Sequence, residues 1–328
     1  MISFKNKNII FITTKNLDYI RNSQEISLIK KECSNVFVIG SNNKNYLARL
    51  LYVYTKLLFT SFKQFDVVFI GFAPQLIIPL FKWKLKGYTV IIDFFISFYD
   101  TLVFDRKKFN ENGVIAKLLR KLDRATINFS DYVICDTKAH GKYFIQEFGV
   151  DPEKLSVLYL EADKTKFFPR TTSKPDVLKN KFVVLYFGSV LPLQGVDIIL
   201  SAIDLLKDEK NIYFYIIGPI GNKFNKPISD NIEYIEWLSQ ERLAEYISIS
   251  DLCLAGHFNK DIEKASRTIP GKAYIYHAMG KKMILGDNEA NRELFNNNAY
   301  YVQMGDAKAL ANAILREKAG ELYGREAN

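Results

Sequence analysis

Phe182–Leu200 reads FVVLYFGSVLPLQGVDIIL. The apolar run from Phe182 has no polar alternation and stops at Gly188. A strand of that kind is buried on both faces, which in a water-soluble chain means a parallel sheet covered by helices on each side. A short loop follows, and a helical period opens after Gly195. Backbone N–H groups at a helix N-terminus carry partial positive charge and favour phosphate. A glycine at such a start lets the backbone approach a ligand closely. The same residues also fit an ordinary strand–loop–helix connection, so the wider pattern has to decide.

That pattern repeats in both directions. Upstream, short β-branched and aromatic runs fall at Asn8–Thr14, Asn35–Gly40, Asp66–Gly71, Tyr88–Asp93 and Asp131–Cys135. Helix-like segments such as Lys44–Phe62 and Val114–Phe129 lie between them. Downstream, Ile212–Gly218, Ile232–Glu236, Asp251–Ala255 and Met283–Leu285 alternate with Val196–Lys207, Ser239–Ser248, Lys272–Ala278 and Glu289–Asn296. Strand–helix alternation of this kind predicts an α/β fold. Lys164–Lys181 (KTKFFPRTTSKPDVLKNK) is polar, holds Pro169 and Pro175, and has no apolar period, which reads as a linker. A chain of 328 residues suits two domains better than one. The expected architecture is two doubly wound Rossmann-like parallel-sheet domains, residues 1–165 and 182–328, joined by a linker over 166–181. Ligands of such sheets bind beyond the carboxyl ends of the strands, so the expected site is a cleft that the two domains face.

Composition narrows the function. The net charge is +9 and the pI is near 9.1, which favours anionic partners: nucleotide phosphates, nucleic acid or an anionic membrane. No nucleic-acid reading module is recognisable, and nucleic acid is not expected. Cys33, Cys135 and Cys253 are widely spaced in or beside apolar runs and read as reduced core thiols. Asn8–Thr14 is too short for a signal-peptide core, and no uncharged apolar run reaches the roughly 18 residues of a membrane span. The expected location is the cytoplasm.

Several loops carry candidate chemistry. A second strand ends in Gly218-Pro219-Ile220-Gly221. In Lys264–Gly280 (KASRTIPGKAYIYHAMG), the cations Lys264, Arg267 and Lys272 crowd a loop that enters a helix. Cations there oppose the helix dipole, so an anionic ligand is expected to offset them. His277, on that helix, reads as a packed histidine. Glu293 follows the next strand and faces either a ligand or solvent. In Ile91–Arg106 (IIDFFISFYDTLVFDR), Asp93 ends a strand and Asp100 interrupts an aromatic stretch, placing carboxylates where ligands bind. Asp93 equally fits a turn-capping role. No Asp-x-Asp pair, HExxH, CxxC or Walker lysine occurs, so metal-free chemistry is expected.

In their order, FGSVLPLQGVDIILSAI, YFYIIGPIG, NIEYIEWLSQERLAEYISISDLCLA and RTIPGKAYIYHAMGKKMILGDNEANRELF resemble the donor-domain blocks of the family 4 glycosyltransferases, retaining enzymes of GT-B fold. GFAPQLIIPLF, IIDFFISFYDTLVFDRKK and DYVICDTKAHGKYF resemble a bacterial branch of such enzymes. The resemblance implies that the C-terminal domain holds a nucleotide sugar and the N-terminal domain an acceptor. It places Gly188, Ser189, Gln194, Gly195, Gly218, Trp237, Leu238, Arg267, Lys272 and Glu293 around the donor, with Trp237 stacking on the base. Asp93 and Asp100, from their place at and after a strand end, and Arg267 and Lys272, from their charge, are the candidate catalytic residues, and no cofactor beyond the donor itself is expected. The family's usual arginine and lysine on the diphosphate correspond to Ser189 and Gln194, and its two glutamates to Arg267 and Ile275. Arg267 and Lys272 are expected to supply the missing positive charge. The family's closing crossover to the N-terminal domain is expected to be shortened or missing here.

The implied function is sugar transfer from a nucleotide-diphosphate sugar to a glycan or lipid-linked acceptor hydroxyl in cell-surface polysaccharide or glycoconjugate synthesis. A non-catalytic GT-B scaffold or nucleotide-binding partner subunit, and a nucleotide-sugar epimerase of the same fold, are the alternatives. In Val114–Phe129, an apolar stripe of Val114, Ile115, Leu118, Leu119, Leu122 and Ala125 runs beside Lys117, Arg120, Lys121 and Arg124. Such a stripe ordinarily faces a core. Together with Lys82, Trp83, Lys84 and Lys86 it alternatively rests the N-terminal half peripherally on an anionic inner leaflet.

Overall fold

The structure, a computed structural model, describes residues 4–33 and 35–321. The chain divides into two compact units, Met1–Glu161 and Ala162–Asn328.

The first unit alternates β1 (Ile9–Ile12), α1 (Ile20–Glu32), β2 (Val36–Ile39), α2 (Tyr46–Phe59), β3 (Val67–Ile70), α3 (Ile78–Leu85), β4 (Thr89–Asp93), α4 (Val114–Phe129), β5 (Tyr132–Cys135), α5 (Lys138–Phe148) and β6 (Leu155–Val157). The strands form one parallel sheet in the order β2-β1-β3-β4-β5-β6. All four residues of β1 are fully buried, as strands covered on both faces must be. Ile10, Ile12, Val68, Ile70, Val90 and Ile92 point to one face, where Val53 and Leu57 of α2, Phe81 and Leu85 of α3, Ala116 and Ile127 of α4 and Phe144 of α5 cover them. Ile9, Phe11, Val67, Phe69 and Ile91 point to the other, against Ile29 of α1. Apart from Ala116, each of these side chains contributes about 1.5–3 kcal/mol on leaving water.

The second unit contains β7 (Phe182–Phe187), α6 (Val196–Leu205), β8 (Ile212–Ile217), β9 (Ile232–Ile235), α7 (Gln240–Ile249), β10 (Leu252–Gly256), α8 (Lys264–Arg267), α9 (Gly271–Ala278), β11 (Met283–Gly286), α10 (Glu289–Phe295), β12 (Tyr300–Val302) and α11 (Ala307–Lys318). Its parallel sheet runs β12-β11-β10-β7-β8-β9. Residues 162–181 belong to this unit: Phe167 and Leu178 are buried, and Lys174 pairs with Asp251. Several helices start where a short polar side chain accepts an otherwise orphaned N–H: Asn45 from Ala48, Thr137 from His140, Ser239 from Arg242, Asn288 from Asn291 and Asp306 from Ala309.

Four features depart from what the sequence suggests. β6 and β12 are extra edge strands of three residues each, too short and too incompletely buried to stand out as apolar runs. Asp100–Asp105 is a π-helical segment, a form with no periodic signature of its own. Helix α4 buries Ala116, Asp123, Thr126 and Ile127, while Val114, Ile115 and Leu118 of the apolar stripe face solvent. His277 is exposed, its ring 5.5 Å from that of Phe295, instead of packed inside.

Candidate functional site

In the second sheet the chain winds outward from β7 through β8 to β9, then returns to build β10, β11 and β12 on the other side of β7. The winding therefore reverses between β7 and β10. Loops leaving two such neighbours turn in opposite directions and leave a crevice beyond the strand ends, the usual ligand position in open α/β sheets. The loop after β7 runs from Gly188 to Gly195, and a Phe258 N–H donation to the Gln194 carbonyl at 3.3 Å ties it to the loop after β10. At the end of β8, Gly218 sits so close that a Cβ there would lie 2.2 Å from the Gly188 carbonyl oxygen.

Lys272 enters this place from the first turn of α9. It is buried, and its ammonium donates to Oε1 of Gln194 and lies 4.8 Å from the centre of the Tyr186 ring. It packs directly on glycine backbone: a Cβ on Gly256 would fall 2.3 Å from Gln194 Oε1 and 3.2 Å from Lys272 Nζ, and one on Gly188 would fall 3.2 Å from Nζ. Burial penalises the charged amine and pushes its pKa down to about 7. A cation held by a neutral amide and a ring, at the switch point of a parallel sheet, is poised for an anion. Among the described residues no three His, Cys, Asp or Glu side chains gather as metal ligands.

Gly188, Gln194, Gly195, Gly218 and Lys272 come together around the ends of β7, β8 and β10. Ser189 is exposed in the same loop, and its carbonyl accepts the Leu191 N–H at 3.0 Å. Lys264 and Arg267 lie in a helical turn of their own, α8, and not in a loop; Arg267 Nη1 donates to Glu263 at 3.1 Å. Trp237 is exposed and Leu238 half-buried beyond β9, and Glu293 is half-buried on α10. His257, unremarked in the sequence, takes φ +57° just after β10, and its Nδ1 lies 2.8 Å from the Thr268 carbonyl oxygen.

In the first unit, Asp93 closes β4 and Asp100 lies beyond its end, as their sequence positions suggest, but neither offers an open carboxylate. Both oxygens of Asp93 are taken by Arg21 of α1, at 2.8 and 2.9 Å, and both side chains are buried. Arg21 also donates to the Leu158 carbonyl and lies 3.6 Å from Glu25. Burial and the neighbouring Asp93 carboxylate raise the Glu25 pKa well above the usual range. Asp100 is fully buried at the start of the π-helical segment. Asp123 of α4 fixes that approach by accepting from Ser97 Oγ, the Tyr99 N–H and Gln75 Nε2, while Ser97 Oγ accepts the Asp100 N–H. In this arrangement Asp93 holds Arg21, and Asp100 is shut away from solvent. Asp136, after β5, meets the buried His140 at 2.6 Å. Sequence reading passed over Arg21 and Glu25, although their spacing with Ile29 sets polar residues on the buried stripe of α1.

Comparison with known proteins bears on both units. Residues 181–317 match the family model described as "Glycosyl transferases group 1". The chain is 24% identical over 241 residues to an uncharacterized 41.2 kDa protein in the cps region of Klebsiella pneumoniae, covering 71% of this chain and 63% of that one. It is 25% identical over 244 residues to the chitobiosyldiphosphodolichol beta-mannosyltransferase of Candida albicans, covering 68% and 52%. The chain thus spans between about half and under two thirds of these relatives' lengths. The crystal structure of Anabaena Alr3699/HepE in complex with UDP-glucose superposes with a TM-score of 0.64 at 14% identity, over 97% of this chain and 91% of that one. The architecture, two parallel-sheet α/β units, is the GT-B fold.

Proposed function

We propose that the chain is a glycosyltransferase of the family 4 kind, which moves a sugar from a nucleoside-diphosphate sugar to a hydroxyl of a glycan or lipid-linked acceptor. The observation that carries this reading is the buried Lys272 amine at the β7–β10 switch point, in the unit whose residues match the glycosyl transferase model. The second unit would hold the donor: Lys272 and the Gly188–Gly195 loop on the diphosphate, Gly218 behind it, Trp237 and Leu238 toward the base, Glu293 toward the sugar. The first would hold the acceptor. The cell-surface location of the product and a cytoplasmic enzyme working at an anionic inner leaflet accord with a relative encoded in a cps region and with another whose printed name includes a dolichol-linked substrate.

In the proposed step the acceptor oxygen bonds to the anomeric carbon while the bond from that carbon to the diphosphate oxygen breaks. The diphosphate leaves with the electron pair, and the acceptor proton passes to its departing oxygen on the same face, so configuration is retained. Protonated Lys272 stabilises the charge that develops on the leaving group, in a place already dry and organised. Arg267, released from the exposed Glu263, adds a second contact. Arg267→Ala is then expected to weaken nucleoside diphosphate binding by about 1.5–3 kcal/mol in calorimetry, the range for hydrogen bonds to charged groups. Unchanged affinity would remove Arg267 from the site.

With charge supplied by side chains, turnover is expected to survive EDTA undiminished; loss on chelation and recovery with Mn²⁺ would contradict this. The deciding experiment for the whole reading is a thermal-shift panel of nucleotide sugars followed by a transfer assay with the ligand that stabilises most. A ligand at 100 times its Kd adds about 2.7 kcal/mol of stability. Binding without transfer to any acceptor would leave a non-catalytic scaffold, and conversion of the donor with no acceptor present would indicate an epimerase.

A further inference from the structure

The apolar stripe of α4 is one part of a larger surface. Helices α2, α3 and α4 lie side by side in the layer covering one face of the first sheet. Tyr54 of α2 meets Phe81 of α3 with ring centres 5.5 Å apart, Lys84 of α3 donates to the Leu58 carbonyl at 2.8 Å, and Lys82 of α3 sits 5.4 Å from the centre of the Phe129 ring of α4. Each helix buries one apolar face in the core and presents a second outward. On α2 this second face is Leu47, Leu51 and Leu58, one helical stripe, with Leu47 69% and Leu51 66% exposed. On α3 it is Leu80 and Trp83, the latter 68% exposed, and on α4 it is Val114 and Leu118, the former 73% exposed. Exposed apolar residues scattered singly need no explanation, whereas a contiguous group does.

The charges around this group select its occupant. The three helices together expose Lys56, Lys82, Lys117, Arg120, Lys121 and Arg124, of which Arg120 pairs with Glu147 of α5, and their single acid, Asp123, is buried. No exposed carboxylate lies on them. An interface with a second copy of the chain would set these cations against themselves across a two-fold axis, with no acids to answer them. Leucines and a tryptophan rimmed by lysine and arginine, lying in the plane of a helical layer, fit the boundary between acyl chains and anionic headgroups. No helix among the described residues is long and apolar enough to cross a membrane, so the contact is made from one side.

We propose that the outer face of α2, α3 and α4 is a membrane-docking surface, inserting Leu47, Leu51, Trp83 and Leu118 among the lipids of an anionic phospholipid bilayer. It deepens the reading of a lipid-linked acceptor by naming the surface that would bring the first unit to such a substrate, but it stands on exposure and charge alone. Full-length protein is sedimented with vesicles of phosphatidylglycerol and phosphatidylethanolamine, and with vesicles of phosphatidylcholine, at low and high salt. Binding to the anionic vesicles is expected, falling with salt, and falling about fivefold for each of Lys117→Gln and Lys121→Gln. Leu51→Glu and Leu118→Glu, both at exposed positions, are expected to abolish it while leaving the melting temperature and nucleotide-induced stabilisation unchanged. Equal, negligible binding of the unaltered protein to both vesicle types would overturn the proposal. So would binding that both leucine variants retain, or a dimer in analytical ultracentrifugation that these variants dissociate. Donor turnover measured with a detergent-solubilised acceptor separates the two readings, because the leucine variants keep it if only docking is lost.

Discussion

Lys272→Met is expected to make the protein more stable and nearly inactive. Among the described residues the buried amine meets a neutral amide and a ring, so its charge is held at a cost that methionine, of similar length, removes. Loss of a preorganised charge on the leaving group should lower turnover by about 10²–10³-fold. Sites that trade stability for activity behave in this way. The sign of the pH dependence follows from the same group. Folded, the amine titrates at about 7; unfolded, it titrates near an ordinary ~10.4. Between these values the unfolded chain binds more protons, so this residue makes stability rise with pH across that window. Chemical denaturation at about pH 7 and 9.5 should show that rise in the unaltered protein and its loss in Lys272→Met. A variant that is less stable at both pH values, or that turns over normally, would refute the assignment.

Arg21→Leu should destabilise the first unit by about 3–5 kcal/mol, the usual consequence of removing one partner from a buried ion pair. Asp93 would be left charged, buried and unanswered beside Glu25. Replacing both members, as Arg21→Leu with Asp93→Leu, should recover much of the loss, because a buried pair is often no better than apolar groups of similar volume. Urea denaturation of the three proteins checks this. If Arg21→Leu costs under 1 kcal/mol, the pair is dispensable and Asp93 returns as a candidate for chemistry.

Much of the fold was legible because its signals are local. The ten longer strands announce themselves as apolar runs such as Val67–Ile70 and Phe182–Phe187. The three-residue strands at Leu155–Val157 and Tyr300–Val302 carry too little side chain to make a pattern; their neighbours in the sheet fix them. At the candidate site, Gly188, Gln194 and Lys272 could each be picked out as strand-end or helix-start residues. Their junction could not, since Gln194 and Lys272 are separated by 78 positions and meet only through the order of the sheet. The pairing of Asp93 was hidden for the same reason: its partner Arg21 lies 72 positions away. The outward stripe of α4 shows a different limit, for periodicity reveals that a helix has two faces without saying which one the sheet receives.

The backbone contact between the loops at Gly188 and Gly218 bears on how the protein could be altered. Because a Cβ at 218 would collide with the carbonyl of 188, the two positions form a single degree of freedom for anyone building a mutant library. Randomising residue 218 alone should return glycine almost without exception, whatever donor is selected for. Reshaping this part of the second unit would therefore mean varying the two loops jointly, with the path of one chosen to clear the other.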